Sequence, residues 1–169
     1  MFSTPLDLLK ALTMNSQLLV AFEEGTQKVQ TAIAGLTPAQ LQLFPVPGTW
    51  SIHQIVVHLA DADLARSDRM KRIIAMDKPI LQAWDESRFA QRLFYHEQSV
   101  EDSLAIMELD RRQMGRILRN LPESAFARTG MHSESGELSL AQMVDRAIRH
   151  VDHHLKFVRD KRALIEAGR

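Results

Sequence analysis

A hydroxyl residue followed three positions later by a glutamine or aspartate recurs at four points: Thr37 before Gln40, Ser51 before Gln54, Ser99 before Asp102, and Ser139 before Gln142. The hydroxyl can accept a hydrogen bond from the backbone of the third residue while that residue's side chain reaches back, so each pair marks a helix start. The apolar residues beyond these points recur every three or four positions, as helices with one buried face require. Ile52, Ile55, Val56, Leu59, Met70, Ile73 and Ile74 form such a stripe after Ser51. Leu104, Met107, Met114, Ile117, Leu118 and Leu121 form one after Ser99, and Val144, Ile148, Val151, Leu155 and Val158 one after Ser139.

The helices expected are therefore a long one over about residues 5–35, bent near Gly25, a short one opening at Thr37-Pro38, and three long ones over about 51–76, 99–121 and 139–167. Pro79 and Pro122 stop two of them. Phe44-Pro45-Val46-Pro47-Gly48 reads as a rigid loop, residues 79–98 as a loop with short helical pieces, and the stretch with Gly130 and Gly136 as a polar loop. No alternating strand pattern competes. The expectation is an all-α fold, an antiparallel four-helix bundle with short additional helices. Without an internal repeat or a linker, residues 1–169 are taken as one domain.

Charge and cysteine content narrow the function. Lys plus Arg and Asp plus Glu number 21 each, so bulk electrostatics favour neither a nucleic acid nor a membrane surface as partner. No apolar run approaches the roughly 18 residues of a membrane span. The start, Met1-Phe2-Ser3-Thr4-Pro5, lacks a basic stretch, and a cytoplasmic protein is the expectation. With no cysteine, a bound metal has only imidazole, carboxylate or carbonyl ligands.

The seven histidines are not equivalent. At about 100° per residue, His154 falls beside the apolar stripe of the last helix, His150 lies at its border, and His153 points among charged residues. His150 and His154, four apart, present two imidazoles on one face. Upstream, His53 and His58 flank the stripe of the 51–76 helix on opposite sides. His58 shares its flank with the small residues Ala62 and Ala65, whereas His53 sits in the first turn, near solvent and the positive helix end. These considerations favour His58 as a third ring.

Trp50-Ser51, His58-Leu59-Ala60-Asp61 and His150-Val151-Asp152-His153-His154-Leu155 together resemble the DinB/YfiT-like family of candidate metalloenzymes, unrelated to the DNA polymerase called DinB. The resemblance implies a four-helix bundle, a homodimer, and a metal held by His58, His150 and His154. One departure is Leu155-Lys156-Phe157, where such proteins often carry a glycine-containing tail after the last ligand.

Three neutral imidazoles leave a coordination position open, the catalytic rather than the closed structural pattern. Zn²⁺ suits three histidines plus water, while Ni²⁺, Fe²⁺ or Mn²⁺ can take further waters. No catalytic side chain is named; a metal-bound water is the expected nucleophile, acting on a small-molecule substrate, with a thiol among the candidates. The reading is a metal-dependent hydrolase or low-molecular-weight thiol transferase, with a non-catalytic metal-binding or stress-response protein as the alternative. Asp61, Asp145 and Asp152 are the candidates to orient the rings. Arg88, Tyr95, His96 and Glu97 are candidates to cover the site, while Trp50 and Trp84 read as core or loop anchors and Met70, Met76, Met107, Met114 and Met143 as core filling.

Overall fold

Two helical segments, residues 16–23 (α1) and Gly25–Ile33 (α2), open the region that the computed structural model describes, residues 16–168. A short α3 (Pro38–Leu41) leads to the long α4 (Ile52–Ala75), then β1 (Ile80–Leu81), α5 (Glu86–Arg92) and α6 (Val100–Arg119). A 3-10 turn (Glu123–Ala127), a hairpin of β2 (Thr129–His132) and β3 (Gly136–Ser139), and α7 (Leu140–Ala167) complete the order. The part of the expected first helix before residue 16 lies outside the described residues.

The helix starts follow the local hydrogen bonds. At Thr37, Ser51 and Ser139 the side-chain oxygen accepts from the backbone of the glutamine three residues on, and that glutamine accepts from the backbone N–H of the capping residue. Ser99 caps α6 by accepting from the Asp102 N–H at 3.0 Å.

The paired α1 and α2, with α4, α6 and α7, form an antiparallel four-helix bundle. α4 packs on both α6 and α7, and α2 packs across α7 and α6. Ile52, Ile55 and Leu59 at the start of α4 meet Val151, Leu155 and Val158 late in α7, whereas Met70 and Ile73 meet Val144 and Ala147 early in it. Met70, Met107, Met114 and Met143 fill the core, but Met76, at the end of α4, is half exposed.

A buried guanidinium ties three arms of the bundle together. Arg111 of α6 donates from Nε and Nη2 to the two carboxylate oxygens of Asp63 on α4 (2.5 and 2.8 Å) and from Nη1 to the Phe22 carbonyl on α1. A Cβ on Gly25 would lie 2.1 Å from Arg111 Nη1, so glycine is what allows the guanidinium to sit against the chain where α1 gives way to α2.

One expectation is corrected. The stretch with Gly130 and Gly136 is a β-hairpin rather than a polar loop, and β1 adds to it as a third strand. β1 pairs parallel to β2 with Ile80 opposite Met131, and β2 pairs antiparallel to β3. These strands are too short, and too rich in glycine, to write an alternating pattern. A Cβ on Gly130 would meet Leu81 and Ile73 at 3.0 to 3.1 Å, so any larger residue there makes those side chains give way. Gly136 supplies the positive φ (75°) of the turn.

Candidate metal centre

His58 projects from the face of α4 that packs on α7, and His150 and His154 project from α7 towards it. His58 Nε2 lies 3.1 Å from His150 Nε2. The centroid of the His154 ring is 4.7 Å from that of His58 and 4.5 Å from that of His150. His58 and His154 are buried and His150 is half-buried.

Burial is the main cause that keeps these imidazoles neutral, because a charged ring would lose its hydration. His58 is pushed down to about 3, with His154 as the next cause. His154 is pushed down to about 4, with His153 next. His150 is lowered too, after burial chiefly by the guanidinium of Arg66. Each ring is thus in the form that can donate a lone pair. With one ligand nitrogen each, the three rings bring atoms within 4.8 Å of one another, a set that could hold one divalent ion. The buried Nδ1 atoms of all three rings have no hydrogen-bond partner.

A family profile described as the DinB superfamily matches residues 21–158. The chain belongs to that superfamily. A candidate metal-dependent hydrolase of Oceanobacillus iheyensis is 27% identical to it over 136 residues, 80% of this chain and 78% of the relative. YfiT of Bacillus subtilis, named likewise, is 25% identical over 137 residues, 80% of this chain and 77% of that one. The solved YfiT structure, described as a four-helix bundle of unusual topology, aligns with a TM-score of 0.81 at 22% identity, covering 87% of this chain and 85% of that chain. A mycothiol-dependent maleylpyruvate isomerase aligns with a TM-score of 0.66 at 14% identity, covering 83% of this chain and 59% of that one. Both structural likenesses concern the fold.

Superfamily membership leaves the surroundings of the rings to this chain's own residues. None of Asp61, Asp145 and Asp152 reaches a ring nitrogen. Asp61 accepts from the Tyr95 hydroxyl at 2.6 Å, Asp145 pairs with Arg149 at 2.5 Å, and Asp152 pairs with Lys28 at 3.1 Å. Each of these carboxylates, expected as a candidate to orient the rings, thus has a cationic or hydroxyl partner instead of a hydrogen bond to an imidazole.

Aromatic faces take that place, and Trp50 and Trp84 are more than anchors. Trp50 stacks on His154 with planes inclined by 10° and also lies 4.8 Å from His58. Trp84 stacks on His58 at 5.7 Å and 17°. Tyr95 is fully buried, and burial and Asp61 together push its hydroxyl pKa up, which holds it protonated. Arg88 pairs with Asp85 and His96 with Glu97 at the surface, so neither covers the rings. His153 is exposed as expected, whereas His53 is buried rather than near solvent and lies outside the cluster. Phe157, where the tail departs from the family pattern, packs edge-on against His153 and lies 6.1 Å from His154.

Two cavities adjoin the rings. One, of about 260 Å³, has Arg66, Arg69, Trp84, Arg146 and His150 in its lining. The other, of about 370 Å³, has Val46, Trp50, Ile55, His154 and Phe157 in its lining. Arg66 and His132, both in the first, are absent from the residues expected on sequence grounds. The four-residue steps from His58 through Ala62 to Arg66 are the signal for the arginine; His132 has none, because its position depends on strand pairing.

Proposed function

We propose that His58, His150 and His154 hold one divalent metal ion, Zn²⁺ or Ni²⁺ before Fe²⁺ or Mn²⁺, and that the chain is a metal-dependent enzyme of hydrolase or low-molecular-weight thiol transferase type. The observation that carries this reading is the convergence of three neutral imidazoles beside two cavities. Structural metal sites are closed by four protein ligands, whereas three ligands with space alongside leave room for a reacting molecule. A divalent ion held there supplies Lewis acidity, which acidifies a water or a thiol at neutral pH.

The chain's own residues prepare that chemistry. Burial keeps the rings neutral, so few protons need leave when an ion binds. Trp50 and Trp84 shield ring faces from water, and the apolar wall of Val46, Ile55 and Phe157 suits the carbon skeleton of a substrate or thiol. The names of the curated relatives favour the hydrolase, and the mycothiol-dependent neighbour favours the thiol. A non-catalytic metal-binding or stress-response protein needs no cavity beside its ligands. The reading takes residues 1–169 as one domain, working as a cytoplasmic homodimer on a small molecule.

The test is elemental analysis of protein purified without chelators or metal-affinity resin, followed by assays against esters, amides and thiol–electrophile pairs. Stoichiometric metal is expected in the wild type and none in the variant carrying His58→Ala, His150→Ala and His154→Ala. Undiminished metal in that variant overturns the ligand assignment.

A further inference from the structure

Arg66 is an anomaly in the electrostatics of this centre. It is half-buried on α4, its Nη1 is closed off from solvent, and that atom has no hydrogen-bond partner. Among the described residues no hydrogen bond or ion pair reaches its guanidinium, whereas the buried Arg69 and Arg111 are both engaged. Arg111 is held by Asp63, and Arg69 donates from Nε and Nη2 to the Gln82 carbonyl at 3.1 and 2.6 Å. Burying part of a guanidinium without a hydrogen-bonded partner is costly, and the carboxylates of Asp63 and Glu86 act on this one only through space. An arrangement of that kind is stabilised by an anion.

The cavity beside His150 gives the anion its size and charge. Its walls carry three guanidinium groups, Arg66, Arg69 and Arg146, against two carboxylates, Glu86 and Glu134, an excess of one positive charge. Arg146 is engaged through Nη1 with the Ser135 hydroxyl at 3.2 Å and Arg69 with the Gln82 carbonyl, so Arg66 is the arginine of the three that makes no hydrogen bond. The Asp63 carboxylate is taken by Arg111, and Glu86, exposed at the rim, makes no ion pair with Arg66. A single positive charge matches a monoanion better than a phosphate dianion. A planar fork of N–H donors matches a carboxylate.

We infer that this cavity binds a small monocarboxylate, with Arg66 as its anchor and His150 at its inner wall. The substrate class is then a carboxylic acid whose reacting group lies next to the carboxylate, because the His58–His150–His154 centre adjoins the same cavity. The inference names the substrate of the proposed function and rests on that reading for the chemistry, but not for the binding. Lysine could replace the charge of Arg66 but not its fork.

The experiment separates the two. Metal-free protein is titrated calorimetrically with benzoate, with its neutral isostere benzamide, and with inorganic phosphate; zinc binding is measured in parallel on every variant. Benzoate is expected to bind the wild type, benzamide not to bind, and phosphate to bind more weakly than benzoate. Arg66→Gln is expected to lose benzoate affinity by about tenfold or more while still binding zinc, the loss set by one charge-assisted hydrogen-bonded contact. Arg66→Lys recovers part of it, and Glu86→Gln, which removes a competing negative charge at the rim, tightens it. Equal binding of benzamide, unchanged benzoate affinity in Arg66→Gln, stronger binding of phosphate, or no gain in Glu86→Gln overturns the inference. A wild type that binds benzoate but no zinc overturns the proposed function and leaves this one standing.

Discussion

The indole of Trp50 lies nearly parallel to the imidazole of His154, with planes inclined by 10° and centroids 6.4 Å apart. Trp84 holds the same relation to His58. The Nδ1 atoms of both rings are unbonded, so these aromatic faces, rather than hydrogen bonds, flank the two rings. Removing a group that orients a metal-binding ring typically costs about 10- to 100-fold in metal affinity.

Trp50→Ala and Trp84→Ala are therefore expected to weaken zinc binding by about tenfold each, read by competition with a coloured chelator. Trp50→Phe should keep most of the affinity because it keeps an aromatic face. Wild-type affinity in both alanine variants would show that stacking does not position the rings.

Tyr95 and Asp61 form a separate structural unit. The buried hydroxyl donates to Asp61 Oδ2 at 2.6 Å, and its removal leaves a carboxylate oxygen short of a donor. Tyr95→Phe should cost about 1–2 kcal/mol of stability in chemical denaturation. Asp61→Asn should leave zinc affinity unchanged, since Asp61 reaches no imidazole; a large loss of affinity would return Asp61 to the metal centre.

Gly25→Ala places a methyl group 2.1 Å from Arg111 Nη1. The guanidinium cannot swing aside without breaking two bonds to Asp63 and one to the Phe22 carbonyl. A loss of about 1–3 kcal/mol is expected, and melting temperature reads it directly. An unchanged melting temperature would mean that Arg111 has another place to go.

His132 makes one part of the stability pH-dependent. Its Nδ1 accepts from the backbone N–H groups of Glu134 and Ser135 at 3.2 and 3.3 Å. Burial, with Arg69 and Arg146, lowers its pKa below the ordinary 6.5. The unfolded chain therefore binds the proton more readily than the folded one. The contribution is complete above the unfolded value and is lost as pH falls below it. His132→Asn offers an oxygen acceptor that does not titrate, so its stability should fall less steeply between about pH 7 and pH 5. Identical slopes for variant and wild type in denaturant unfolding would exclude His132 as the source.

Much of the bundle is legible residue by residue because its signals are local. The Thr37–Gln40, Ser51–Gln54 and Ser139–Gln142 pairs need only three residues of context, and the apolar stripes need only the period of one helix. The same period separates His150 and His154 from His153, since rotation about a helix is set by position along it. Met76 and His53 depart from expectation for a complementary reason: at a helix end, exposure depends on which loop covers the turn.

What only the tertiary structure decides is every relation between distant segments. The 3.1 Å approach of His58 to His150 depends on how α4 and α7 cross, and a pattern on either helix does not contain that crossing. The stacking of Trp84 on His58 depends on how the chain returns after β1, whose partner strand lies some fifty residues further on. That the Arg66 Nη1 is closed off without a hydrogen-bond partner depends on what packs against α4, which no pattern along the helix contains. The sequence by itself determined where the helices start, which face of each is apolar, and that His150 and His154 share one face. The assembly of the bundle decided which rings meet, what covers them, and which charge is left for a ligand, because those depend on non-local contacts made only when the chain has folded.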